Sequence, residues 1–184
     1  MRIRGTPALL GIALGGSLIV IASACFERDQ PNPWSVFLES PSVESRKALL
    51  EVVDPSECDW GRSVNERVVP DDVRAELMEL ISSGNEQAFL FGLAALRCFD
   101  GGDLEDLYVS AGKFLEAHPR EFFLGLREES VSDRDAQNLA WNIPINDDPK
   151  SASAEMKRRV AVVEGMDAKG IEELQRRALS QVGR

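Results

Sequence analysis

The chain of 184 residues has one histidine, one tyrosine and three cysteines. A lone His118 leaves no partner set for a Ser-His or Cys-His catalytic array and rules out a His-Glu-x-x-His zinc site. No Gly-x-Ser-x-Gly elbow and no phosphate-cradling glycine loop occurs. Long period-two alternation of apolar and polar residues is also missing, so no segment reads as a convincing strand. Basic residues are outnumbered, 21 against 31 acids, for a net charge of −10. That balance argues against direct binding to nucleic acid or anionic lipid. The longest apolar run, Pro7 to Ala22, is short of the roughly 20 residues a membrane-spanning helix needs.

That run is informative in another way. Arg2 and Arg4 precede it, and Ala22-Ser23-Ala24-Cys25 follows, with an immediate change to Phe26-Glu27-Arg28-Asp29. Charge, a short apolar core and small residues before a polarity step are the parts of an export signal. Ala22 and Ala24 suit an ordinary signal peptidase. Ile21-Ala22-Ser23-Ala24-Cys25 also resembles the lipobox of bacterial lipoproteins, with Ala22 where leucine is usual. The resemblance covers the first 25 residues only. It implies cleavage before Cys25 and acylation of that residue, and two or more acyl chains hold a protein firmly at a bilayer. Phe26 after the cysteine, rather than aspartate, implies sorting to the outer membrane by analogy with enterobacterial lipoproteins.

If Cys25 carries lipid, Cys58 and Cys98 remain, and in an oxidising compartment they can form a disulfide. The alternative is two separate buried thiols acting as small hydrophobes. Closure of such a loop stabilises by roughly 3–4 kcal/mol. Loss of residues 1–24 removes two basic residues and no acidic one, so the mature charge becomes −12. The chain thus divides into a signal peptide (1–24), a lipidated tether (25–41) and a single α-helical domain (42–184). With 43% hydrophobic residues, the domain can build a true core.

Helical punctuation recurs through that domain. Ser42 or Ser45 caps a first helix, which Asp54-Pro55 stops. Pro70 opens a second in its first turn, and Ser82-Ser83-Gly84 ends it. Asn85 caps Ala88 to Leu96, which is apolar on every side and therefore belongs at the centre of the fold. Asp103 caps the next helix, and His118-Pro119 breaks it. Pro119 starts a short helix, Ser132 with Asp135 starts another, and Pro144 ends that one. Two more helices run over about 152–164 and 167–182. The fold class is all-α, with antiparallel helical hairpins packed as a stack resembling HEAT-like repeats or as an irregular bundle.

Chemistry is sparse. Ser110-Ala111-Gly112-Lys113 fits the Ser-x-x-Lys motif of penicillin-binding enzymes, but its companion motifs are missing. The acidic groups Asp100, Asp103, Glu105, Asp106 and Asp147, Asp148 lack calcium-loop spacing and read as helix caps and solvated surface. His118 reads as a group that meets exposed carbonyls at a helix end. Trp34 and Phe37, beside the tether, are either exposed or packed on the edge of the domain. No cofactor or metal is expected. The expected role is a non-enzymatic protein–protein interaction module, an envelope lipoprotein facing the periplasm whose acidity suits a basic partner. A cell-wall hydrolase or acyl-transfer enzyme, and a structural spacer at the outer membrane, are the alternatives. Cys25→Ser is expected to shift the protein from the membrane to the soluble fraction of lysed cells. Intact-mass spectrometry of the native protein should find a chain beginning at an acylated Cys25; a retained leader would contradict the assignment.

Overall fold

Side-chain caps set five of the nine α-helix starts among the described residues. The computed structural model describes residues 31–55, 58, 69–143 and 148–182, and the regular structure among them is helical. The expectations for residues 1–30, Cys25 included, and for Pro144 and Asp147 lie outside the described residues. Helix α1 is Pro33–Glu39, α2 Val43–Val52, α3 Asp71–Ser82 and α4 Glu86–Ala94. A 3-10 turn, Leu96–Cys98, leads into α5, Gly101–Ala117. Then follow α6 Pro119–Glu128, α7 Asp133–Trp141, α8 Pro149–Gly165 and α9 Glu172–Ser180. Ser42 and Ser45 form a capping box at α2, while Asn85, Ser132 and Asp148 cap α4, α7 and α8. Each such cap satisfies amides that a helix start leaves without partners.

Four expectations change. The tether does not extend to residue 41, because α1 occupies residues 33–39 and belongs to the compact unit that runs from Pro31. Asn32 and Pro33 look like linker residues, yet they form a helix start: the Asn32 side chain accepts from the Trp34 amide at 3.0 Å, and proline fits the first helical position. Trp34 and Phe37 are buried, both packed on Phe91 with ring centroids 5.2 and 5.5 Å away. The helical domain therefore begins at Pro33, not at 42. Pro70 sits one position earlier than expected, at the N-cap of α3. Asp103 does not cap α5, since Asp100 holds that position and Asp103 instead pairs with Arg74 of α3. Finally, α9 starts at Glu172 rather than 167, because the chain turns at Gly170 (φ +81°), where Arg120 and Arg127 of α6 donate to the carbonyls of Asp167, Lys169 and Gly170.

The helices form two layers. Odd-numbered helices pack in succession, α1 on α3, α3 on α5 and α5 on α7; even-numbered helices do the same, α2 on α4 and α4 on α6. Pairs such as α1–α2, α3–α4 and α5–α6 join the layers as hairpins, and α8 closes the array against α5 and α7. Helix α4 is central. Its residues Ala88 to Leu93 are all buried, and Phe89 stacks on Phe114 of α5 at 4.2 Å and on Phe122 of α6 at 5.3 Å. Cys58 and Cys98 are disulfide-bonded with Cα atoms 5.1 Å apart, tying the segment between α2 and α3 to the turn after α4. Among the described residues no helix is long and apolar enough to cross a membrane.

The joint of α5, α7 and α8 holds a charge. Arg159 of α8 is fully buried. Its guanidinium donates to the Ala140 and Asn142 carbonyls at the end of α7 (3.1 and 3.0 Å), to Glu116 of α5 (3.3 Å) and to Glu155. Gly112 makes room for it, because a Cβ there would overlap the guanidinium. Gly112→Ala is expected to lose about 1–3 kcal/mol through overpacking, although alanine is the better helix former. Arg159→Ala should cost about 3–5 kcal/mol by stranding its acceptors. The double substitution should cost less than the sum, since each removes the other's constraint; urea titration of the three variants checks this.

Candidate functional site

Helix α5 carries the motif that sequence reading singled out, and its geometry separates the two ends of that motif. Ser110 is buried at 4% exposure, whereas Lys113 faces solvent. The pair does not share a cleft, so a serine nucleophile with an adjacent lysine base is not assembled here. Gly112, the middle of the same string, is the seat of Arg159.

His118 also has a structural role, different in detail from the expected one. Its backbone joins α5 to α6: its amide donates to Phe114 at 2.8 Å and its carbonyl accepts from Phe122 at 2.9 Å. Its ring packs on Phe114, with centroids 5.2 Å apart, and over Gly84. Gly84 has φ +94° at the end of α3, so a side chain there would be both strained and blocked by the imidazole. Of the acidic groups, Asp148 accepts from the Ser151 amide and Asp103 is taken by Arg74. Among the described residues no group of three potential ligands could hold a metal ion.

A concave feature of the surface lies elsewhere, where the α4–α5 corner faces the α6–α7 turn. This cleft is about 1170 Å³ in volume. Leu93, Leu96 and Arg97 come from the end of α4 and the 3-10 turn, and Leu104 and Tyr108 from α5. Val131, Arg134, Asp135 and Asn138 face them from the turn and α7. The turn is built on Ser130, which has φ +53°. Its amide donates to Arg127 and the next amide, of Val131, donates to Leu126, a pairing that closes the end of α6. Glycine usually takes that position, so a serine here stores strain on the cleft wall.

Tyr108, 7% exposed, is the chain's one phenol, and it lines the cleft from α5. Asn138 donates to its oxygen at 3.5 Å, a weak bond. Burial holds the hydroxyl above its ordinary pKa of 10.0, opposed by the Asn138 bond, while Asp135 pushes in the same direction and Arg134 against it. Two carboxylates line the cleft as well, and both have other work. Glu129 pairs with Arg46 of α2 at 2.9 Å, and Asp135 accepts from the Ser132 hydroxyl at 2.6 Å. The site is not visible in the sequence, because its walls come from several segments, Pro55 after α2 included, that only the packing brings together.

No protein-family model, no curated protein and no solved structure matches this chain.

A phenol whose folded-state pKa is raised supports stability fully below its unfolded value and loses that support as pH climbs through the folded one. Stability of the wild-type protein is therefore expected to fall as pH rises above 10.0, and Tyr108→Phe to flatten part of that fall. Urea midpoints measured from neutral to alkaline pH decide it, and identical slopes for both proteins would refute the assignment.

Proposed function

We propose that this chain is an envelope lipoprotein acting as a non-enzymatic protein-binding module, with the cleft between the α4–α5 corner and the α6–α7 turn as its docking site. The cleft carries this reading. The space, about 1170 Å³ and open to solvent, has room for a segment of a partner chain. Its lining combines apolar side chains from α4 and α5 with groups that can form hydrogen bonds, as protein interfaces do. A spacer needs no such feature. The hydrolase alternative draws on Glu129 and Asp135, which line the same cleft, but both serve Arg46 and Ser132 in the arrangement described.

Placement at a membrane rests on the leader and Cys25. With α1 starting at Pro33, residues 25–32 are what is left as a leash. At roughly 3.3–3.6 Å per residue its full reach is under about 30 Å, so a partner has to approach the bilayer to which the chain is anchored.

A photoreactive amino acid at Asn138, on the cleft wall, is expected to give a discrete crosslinked adduct in cells. The same group at Lys47, exposed on α2, is expected to give none. Adducts from both positions alike, or from neither, would sink the docking site.

A further inference from the structure

Ten arginines lie among the described residues, and eight of them have a hydrogen bond or ion pair. Arg97 and Arg134 have neither, and both line the cleft, one from each side. Their neighbours offset only part of that positive charge. Glu129 is balanced by Arg46, and Glu128, which contacts the same guanidinium at 3.4 Å, does not line the cleft. Asp135 is the remaining acid on the wall; it accepts from the Ser132 hydroxyl and keeps its negative charge, so the two arginines exceed it by one. In a chain of net charge −10, the cleft is thus a local exception.

Resting on the docking reading above, we infer that the cleft receives an acidic segment of a partner protein, whose Asp, Glu or terminal carboxylates are held by Arg97 and Arg134. A guanidinium presents a planar fork of donors that matches a carboxylate with two parallel hydrogen bonds. Two unpaired forks on opposite walls can each take one. On the same lining, the half-buried Leu104 and Val131 offer apolar contact for the residues that separate the acids. The phenol of Tyr108 is protonated at neutral pH and can donate to a carboxylate or a backbone carbonyl. The chain's general acidity does not forbid such a ligand. At physiological salt, charges further than about 8 Å apart are largely screened, so the nearby guanidinium groups dominate.

The test is a random short-peptide library panned on the full chain in detergent micelles, in parallel with Arg97→Gln/Arg134→Gln. Both positions are exposed, so the double variant is expected to keep the wild-type thermal melt. The wild type should enrich peptides carrying Asp or Glu beside apolar residues. Their binding should weaken roughly tenfold or more when each acid is replaced by its amide, or when the double variant is used. Enrichment of basic peptides, no enrichment, or equal binding by acid and amide forms would overturn the inference. The docking reading fails separately: an Asn138 adduct that forms regardless of Arg97 and Arg134 keeps the cleft as a site and removes its preference for acids.

Discussion

A helix with no polar side has to be enclosed, and α4 imposes that constraint on everything around it. Residues 88–93 cannot face water on any side without a cost of roughly 25 cal/mol for each square ångström of apolar surface. Enclosure takes neighbours on four sides: α2 and α6 within its own layer, and α3 and α5 from the other. Phe89 and Phe91 reach out of α4 in two directions, one into the rings of α5 and α6, the other to Trp34 and Phe37 of α1. The two-layer order of the helices is what satisfying α4 looks like. The cleft lies at the edge of the same order, where the chain leaves α4 and α6.

Much of this was legible beforehand because helix ends are written locally. Asn85, Ser132 and Pro119 announced three starts, and the apolar α4 announced its burial. What failed was also local, where one residue type has two uses. Asn32-Pro33 serves equally as linker or helix start, and the choice fell to Trp34 and Phe37, whose partner Phe91 lies more than fifty residues away. Asp103 is a good cap by type, but an arginine on the adjacent helix claimed it. Arg159 was invisible: in sequence it is one of several charges on α8, and only the glycine at 112 on a distant helix makes a seat for it. The cleft was illegible for the same reason, since Arg97 and Arg134 differ from eight other arginines only in what the fold fails to place beside them.

Charge is handled in two distinct ways. Arg159, Arg46 and Arg74 are spent inside the structure, each joining helices that are far apart in sequence, and each pair is partly or fully shielded from solvent. Removing one partner from such a pair costs more than the pair contributes, because the other charge stays behind without water. Arg97 and Arg134 are solvated, cost the fold little, and remain available. Among the arginines of the described residues, those two are left without a partner on the fold's own side chains.

The disulfide gives the cleft a dependence on surroundings. Cys98 adjoins Arg97 in the 3-10 turn and lies two residues beyond Leu96, so the covalent bond to Cys58 grips the wall that carries both. Such a bond persists where thiols are oxidised and is lost where glutathione keeps them reduced. One side of the cleft is therefore finished by the redox state of the compartment and not by folding alone, so that the same polypeptide in a reducing medium would possess every residue of that wall without the tie that holds it still.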